Sequence, residues 1–256
     1  MTTPIAPTPA PLPLFYKAPV LLRSQDHRAF GVRAGTNFRF AAGAASIPLT
    51  LGEFAPAGRT YPIVFSNDAA ARPMVVTGLD AGGNLFVTAE GEWTAGAYIP
   101  AYVRRYPFIS FEGEGDSQLM LGVDGASDQI SADAARDGAD PFFDAEGQPT
   151  ERARAAMGFC QTYAQEDARS RAFSAALLAH DLLVEKSAEL VFADTGKAVV
   201  TGFRIIEEAA FRALPAAKVT EFHANGWLDL MVMQLASQLG WQGLVDTAVR
   251  LRAKAA

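Results

Sequence analysis

The sequence has little cysteine: Cys160 is the single thiol among 256 residues. A lone cysteine cannot form an intramolecular disulfide, and small secreted domains usually depend on such bonds. The composition therefore argues against a disulfide-stapled secreted domain and is typical of a reducing compartment. We expect a cytoplasmic protein, with a cell-surface location reached without a cleavable signal peptide as the alternative.

Long apolar runs are missing as well. No stretch approaches about 18 uninterrupted apolar residues, the length that a membrane-spanning helix needs. Residues 1–13 contain five prolines but no basic residue, and they lack the apolar run of a secretory signal peptide. Because this segment has too little apolar surface to offset its ordering entropy, we interpret it as a flexible tail.

Positive charge is in the minority. The chain has 22 basic and 28 acidic residues, a formal net charge of −6, which argues against general nucleic-acid binding. The acidity is concentrated in residues 112–151, where eleven acids accompany one base, Arg136. A solvated acidic connector is the simplest interpretation of this stretch, and calcium binding or docking onto a basic partner are the alternatives.

The calcium alternative rests on the segment from Asp133 to Asp144. Its carboxylates at the first, fifth and twelfth positions, with Gly138 at the sixth, resemble an EF-hand loop. Ala135 and Pro141 occupy two positions at which such a loop usually provides oxygen ligands. The match is therefore incomplete, and we predict no metal site.

The residue patterns of common catalytic sites are absent from the sequence. Its three histidines are far apart, and neither a closely spaced pair of histidines nor a pair of cysteines occurs. No nucleophile elbow and no glycine-rich phosphate loop is present. Cys160 falls on the apolar stripe of a predicted helix and is interpreted as a core residue. We therefore predict no catalytic residue and no cofactor, and we expect a protein that is not an enzyme.

Hydrophobic patterning predicts an α+β fold, with a strand-rich antiparallel N-terminal half packed with a helical C-terminal half. We expect one domain over residues 14–256: strand-rich over 14–123, an acidic loop over 124–149 and mainly helical over 150–256. Thr150 and Pro215 are predicted to begin helices, and Asn225-Gly226 to end one. A hairpin is predicted around residues 194–197.

Two adjacent arginines, Arg104 and Arg105, lie in an aromatic segment, residues 98–111, that we predict to be a strand. Pro100 and Pro107 would place this strand at a sheet edge or break it in two. Neighbouring side chains on a strand point to opposite faces, so one guanidinium should face inward and need a carboxylate or carbonyl partner. Glu53 or an acid of the 112–151 stretch could provide it. A structural salt bridge or aromatic stacking is the simplest role for this pair of arginines.

A functional interpretation of the same segment is a groove that binds an anion or a peptide through the two arginines. Trp93, Tyr98 and Tyr102 would form its floor. The alternative is a small-molecule or enzymatic pocket in which four polar or aromatic side chains converge. These are His27, Glu53, Tyr61 and Arg104.

A series of short stretches rich in aromatic residues, proline and glycine runs through the chain. In order they are Phe15–Val20, His27, Ile47–Leu49, Glu53-Phe54, Tyr61–Phe65, Gly78-Leu79, Gly83–Phe86, Gly91, Trp93, Tyr98–Phe108, Phe143-Asp144, Gly147, Thr201–Phe203 and Gly226–Leu228. Taken together they resemble the bacterial SapC family, whose members are of about this length. The resemblance covers nearly the whole chain after the proline-rich tail.

The resemblance implies an accessory role. The family takes its name from association with a crystalline surface layer, and it has no agreed activity, cofactor or catalytic residue to carry over. Many members resemble cytoplasmic proteins encoded near outer-membrane receptors, cupin-like hydroxylases or halogenase-like flavoproteins. We expect a surface-layer-associated or accessory protein that binds a protein or peptide. The alternative is an accessory that acts with a neighbouring oxygenase- or halogenase-type enzyme.

Overall fold

The computed structural model describes residues 12–35, 37–79, 83–112, 119–192 and 196–255. The chain forms two compact units. The first comprises the residues up to Ala34 and Tyr106–Cys160, and the second comprises Gly35–Arg105 and the residues from Gln161 onward. The expected single domain over residues 14–256 stays a prediction, and most of the predicted tail, residues 1–11, lies outside the described residues.

The described strands lie mainly in the N-terminal half. They are β1 (Pro19–Leu21), β2 (Gly31–Val32), β3 (Ser46–Pro48), β4 (Ile63–Ser66), β5 (Pro73–Val76), β6 (Phe108–Glu112), β7 (Leu119–Asp124), β8 (Ile130–Ser131), β9 (Asp140–Pro141), β10 (Leu183–Phe192) and β11 (Gly196–Ile206). Every pairing between them is antiparallel in the described residues.

The longer described helices lie in the C-terminal half, which confirms the α+β fold predicted from the sequence. The helices are α1 (Ser24–His27), α2 (Phe54–Gly58), α3 (Ala101–Arg105), α4 (Ala134–Asp137), α5 (Glu151–Ala179), α6 (Glu208–Arg212), α7 (Ala216–Ala224), α8 (Trp227–Ser237) and α9 (Gly240–Ala255). Short 3-10 turns occur at Arg39–Ala41 and Leu51–Glu53.

The first unit is built on two three-stranded sheets, in the orders β1-β7-β6 and β8-β2-β9. Apolar side chains of these strands and the start of α5 form its core. The fully or nearly buried members are Val32, Leu121, Val123, Ile130, Phe142, Ala153, Ala156 and Cys160. The thiol of Cys160 thus lies in the core, as its position on the apolar helical stripe predicts.

Asp124, at the end of β7, is a fully buried carboxylate that organises the first unit. Its Oδ1 accepts hydrogen bonds from the backbone N–H groups of Ala18 (2.7 Å) and Ala126 (3.3 Å). Its Oδ2 accepts from the backbone N–H of Lys17 (3.1 Å) and from the Tyr106 hydroxyl (3.0 Å). Burial, reinforced by the Asp124 carboxylate, raises the pKa of Tyr106 to about 12.

The second unit is built on one five-stranded antiparallel sheet in the order β10-β11-β4-β5-β3. Helix α8 is fixed to this sheet by polar side chains that are themselves buried. Gln234 Nε2 donates to the backbone oxygen of Ile63 (2.9 Å), and its Oε1 accepts from the backbone N–H of Ile206 (3.3 Å). Ser237 Oγ accepts from the Ile63 N–H at 2.9 Å. These bonds satisfy buried backbone groups that would otherwise destabilise the unit.

The local capping signals are confirmed. Thr150 Oγ1 accepts from the backbone N–H of Ala153 at the start of α5 (3.3 Å). Pro215 immediately precedes α7, and Gly226 follows its C-cap Asn225 with a left-handed φ of 68°. The β10–β11 hairpin is confirmed by its pairing, although residues 194 and 195 of its predicted turn lie outside the described residues.

The predicted strand over residues 98–111 is confirmed only over residues 108–111, and the expected break at the prolines is confirmed. Residues Ala101–Arg105 form helix α3, and only Phe108–Glu112 belong to a strand. Pro100 provides the carbonyl that accepts from the N–H groups of Val103 and Arg104, and Pro107 has no N–H group with which a helix or ladder could continue. The two prolines divide the aromatic segment into different elements.

The predicted loop over residues 124–149 is also more ordered than expected. It contains β8, α4 and β9. Asp133 caps α4 by accepting from the backbone N–H of Arg136 (3.1 Å), and Gly138 ends the helix with a left-handed φ of 62°. Here acidic residues act as helix caps, a role that a count of charges does not reveal.

Candidate functional site

The candidate site in the second unit is built on Glu53, a carboxylate only 5% exposed. Its Oε2 accepts hydrogen bonds from the backbone N–H (2.9 Å) and hydroxyl (2.8 Å) of Thr50. Its Oε1 accepts from the Tyr98 hydroxyl (3.0 Å) and from the N–H of Ala101 (2.5 Å). One carboxylate therefore joins the 3-10 turn, the segment before α3 and the first turn of α3 itself.

Tyr98 connects this buried carboxylate to Arg104. Arg104 Nη2 donates to the Tyr98 hydroxyl (3.2 Å), and Arg104 Nε donates to the backbone oxygen of Ile99 (3.0 Å). The guanidinium carbon also lies 5.8 Å from the centroid of the Tyr98 ring. Burial, together with the adjacent Glu53 carboxylate, raises the pKa of the Tyr98 phenol. The exposed guanidinium is thus held in place by internal partners.

Tyr61 and Trp93 fix the backbone of Tyr98, just before α3, through two hydrogen bonds. The Tyr61 hydroxyl donates to the backbone oxygen of Tyr98 (2.6 Å), and Trp93 Nε1 donates to the Tyr61 hydroxyl (3.2 Å). Both side chains are buried. A buried tyrosine or tryptophan normally finds a partner for its polar atom, and here those partners fix the backbone immediately before α3.

A cavity of about 610 Å³ lies beside Tyr98 and Arg104. Its lining includes two exposed guanidiniums, one hydroxyl and one phenol, and no acid is part of this lining in the described residues. The lining residues are Pro56, Arg59, Thr60, Gly96, Ala97, Tyr98, Ile99 and Arg104. We call this the Arg104 cavity. Its charge and its hydrogen-bond donors suit an anionic group such as a carboxylate.

Arg105 has a different environment from Arg104, although the two are adjacent. It is 8% exposed, and its guanidinium carbon lies 4.3 Å from the Tyr163 ring centroid and 4.9 Å from that of Tyr102. Stacking on two aromatic faces stabilises a guanidinium in a buried position. One arginine faces inward and one outward, because successive residues of a helix are rotated by about 100° from each other.

The structure brings together five of the eight side chains singled out from the sequence. Glu53, Tyr61, Trp93, Tyr98 and Arg104 form one hydrogen-bonded set. Within that set, Tyr98 and Arg104 line the Arg104 cavity, whereas Trp93 lies behind it. Tyr102 stacks on Arg105 and is not part of the cavity lining.

His27 belongs to the first unit. Its Nδ1 accepts from the backbone N–H of Arg23 (3.1 Å), and its ring packs edge-on against Phe30 with centroids 4.8 Å apart. Two cavity residues, Arg59 and Thr60, were not singled out from the sequence. They follow α2 in an ordinary polar context, and only the fold places them beside Arg104.

Metal binding has no support among the described residues, which hold no group of three or more His, Cys, Asp or Glu arranged around a common point. The carboxylates of the EF-hand-like segment have internal partners. Asp137 pairs with Arg33 (2.6 Å) and Arg136 (2.9 Å), and the hydrogen bond from Arg136 lowers the pKa of Asp137 to about 2.

Within the described parts of the chain, no helix has both the length and the apolar character needed to cross a membrane.

Alkaline pH is expected to destabilise the second unit. Burial raises the pKa of the Tyr61 and Tyr163 phenols above that of an exposed tyrosine. Above about pH 10, the unfolded chain loses protons that the folded chain keeps, so the free energy of unfolding falls by roughly 1.4 kcal/mol per pH unit for each phenol. Urea unfolding between about pH 8 and 11 measures this slope.

Tyr163→Phe provides the control for the alkaline prediction, because it removes one titrating group from the buried set. We expect the slope above about pH 10 to become shallower by roughly 1.4 kcal/mol per pH unit in this variant. A profile that is flat in the wild type, or identical in the two proteins, would show that these phenols titrate normally.

Comparison with known proteins places the chain in a family. A family model described as SapC matches residues 22–244. No curated protein and no solved structure matches the chain. The family match covers most of the sequence and includes every residue of the Arg104 cavity. The chain therefore belongs to the SapC family.

Proposed function

We propose that this protein is a non-enzymatic accessory protein that binds a protein or peptide partner through the Arg104 cavity. The observation that carries the proposal is the lining of that cavity, where two exposed guanidiniums meet Thr60 and Tyr98. Guanidinium groups bind carboxylates through paired, charge-assisted hydrogen bonds. The partner would therefore place an acidic side chain or a carboxyl terminus in the cavity.

The second candidate, a catalytic or small-molecule pocket formed by Glu53, Tyr61 and Arg104, has weaker support. Glu53 is buried, and its two oxygens already accept four hydrogen bonds. Tyr61 is fully buried and donates its hydroxyl proton to a backbone oxygen. A general base or acid must reach the substrate within hydrogen-bonding distance, and neither residue is part of the cavity lining. These groups position Tyr98 and Arg104.

The proposal predicts preferential binding of acidic peptides. The probe is the tetrapeptide acetyl-Ala-Glu-Glu-Ala-amide, and its Gln-Gln counterpart, also amidated, is the uncharged control. Both are titrated by calorimetry. We expect Arg104→Ala and Arg59→Ala each to weaken binding of the acidic peptide by about 10-fold or more, since each removes charge-assisted hydrogen bonds.

Arg212→Ala is the matched control variant, because Arg212 is an exposed arginine of the same unit that pairs with Glu208 at 2.6 Å. It should bind the acidic peptide like the wild type. Equal affinity for the acidic and the uncharged peptide, or binding that Arg104→Ala leaves unchanged, would refute the proposal. Turnover of any substrate by the purified protein would favour the second candidate.

A further inference from the structure

The first unit contains a separate cavity of about 790 Å³ between the β1-β7-β6 sheet and the start of α5. Its lining is mostly apolar and includes two methionines and one phenylalanine. The lining residues are Leu21, Leu22, Arg23, Glu112, Leu119, Met120, Leu121, Phe143, Pro149, Ala153, Arg154 and Met157. We call this the Met157 cavity.

The size and position of the Met157 cavity suit a bound small molecule. Ligand pockets measure about 300–1,000 Å³, so the cavity has the volume of a small-molecule site. Leu22, Phe143 and Met157 pack directly against the buried core of this unit. The cavity is thus an open cleft with an apolar floor that adjoins the core, where a ligand would add dispersion contacts.

The charged groups of the Met157 cavity indicate how a ligand is oriented. Two exposed arginines, Arg23 and Arg154, accompany one carboxylate, that of Glu112. Arg154 Nη1 also donates to the backbone oxygen of Pro149, which holds its guanidinium at the edge of the cavity. A mostly apolar lining with a few charged groups is the usual composition of a small-molecule site, and the excess of guanidinium favours an anionic head group.

We propose that the Met157 cavity binds a small amphiphile with an apolar body and one carboxylate, such as a medium- or long-chain fatty acid. The apolar body lies along Leu119, Leu121 and Met157, and the carboxylate meets Arg154 and Arg23. Methionine side chains are flexible and polarisable, so they adapt to chains of different length. This site lies in a different unit from the Arg104 cavity, and the proposal does not depend on the proposed function.

The test is a calorimetric titration of the full chain with dodecanoate, below the concentration at which it forms micelles. Dodecanol and dodecyltrimethylammonium are the neutral and cationic controls. We expect saturable binding of one dodecanoate per chain, at least about 10-fold tighter than the cation, because the guanidiniums attract one charge and repel the other. Arg154→Gln should weaken dodecanoate binding by about 10-fold.

Two filling variants locate the ligand. Met157→Trp should reduce the affinity for dodecanoate by about 10-fold or more, since the larger ring occupies the cavity. Leu119→Trp provides the same test near the end of β7, because Leu119 lies on the same face of this strand as Leu121 and is only partly buried. Val232→Trp, at a position 53% exposed in the second unit, is the matched control and should bind like the wild type.

Several results would overturn this inference. One is the absence of saturable binding, and another is equal affinity for dodecanoate and the cationic control. Binding that neither filling variant weakens would place the ligand elsewhere on the protein. Size-exclusion chromatography completes the test, because a dimer that does not bind dodecanoate would show that a second copy of the chain covers the cavity.

Discussion

Replacing Glu53 by glutamine is expected to lower the free energy of unfolding by about 3–5 kcal/mol. Each oxygen of this buried carboxylate accepts two hydrogen bonds, from Thr50 on one side and from Tyr98 and Ala101 on the other. A glutamine has only one acceptor oxygen, so its NH₂ group would face N–H or O–H donors. At least one buried donor would then lose its partner.

Glu92→Gln is the matched control for this experiment, since Glu92 is an exposed glutamate of the same unit. Its effect on stability should stay within about 0.5 kcal/mol, as for most surface substitutions. Chemical denaturation of the two variants and the wild type provides the comparison. If Glu53→Gln were no more destabilising than Glu92→Gln, the four hydrogen bonds to the Glu53 carboxylate would not be needed to stabilise α3.

Asp124→Asn should destabilise the first unit by about 2–4 kcal/mol. The native carboxylate accepts from three backbone N–H groups and from the Tyr106 hydroxyl. The asparagine NH₂ group can donate to the Tyr106 oxygen, but it then leaves the Lys17 N–H without an acceptor. The hydrogen bond lost at this fully buried side chain accounts for most of the expected loss.

Asp128→Asn tests whether this loss is specific to the buried carboxylate, because Asp128 is exposed and follows shortly in sequence. We expect a change in the free energy of unfolding within about 0.5 kcal/mol. Thermal unfolding measured by circular dichroism would separate the two variants by several degrees. Similar melting temperatures would mean that backbone pairing between β1 and β7 stabilises the first unit without help from the Asp124 carboxylate.

Much of the architecture could be predicted from local signals in the sequence. Thr150 begins α5, Pro215 precedes α7, and Gly226 ends it, because each residue acts on backbone groups within a few positions of itself. Hydrophobic patterning likewise indicated the strand-rich N-terminal half and the helical C-terminal half. These features need no knowledge of distant partners.

The helix over Ala101–Arg105, where a strand was predicted, has a non-local cause. Its aromatic and branched residues favour a strand, but Ala101 donates to Glu53, which lies 48 positions earlier in the chain. A carboxylate at the start of a helix satisfies a backbone donor and stabilises the helix dipole. Patterning within one segment does not reveal such a cap.

The residues of the candidate site were also predicted only in part, because local sequence signals mark some of them and not others. The polar and aromatic character of Glu53, Tyr98 and Arg104 drew attention to them, and the fold joins them. Arg59 and Thr60 carry no local mark that separates them from other surface residues. His27 was grouped with these residues by chemistry alone, and it lies in the other unit.

The hydrogen bond from the Trp93 indole to Tyr61 gives the protein a built-in optical reporter. Tyr61 in turn holds the backbone oxygen of Tyr98, so a ligand that displaces Tyr98 alters the surroundings of this indole. Trp227 and Trp241, the other two indoles, are less buried, and we expect them to emit at longer wavelengths. Occupation of the Arg104 cavity should therefore register as a change in the blue edge of the intrinsic fluorescence, without any added label.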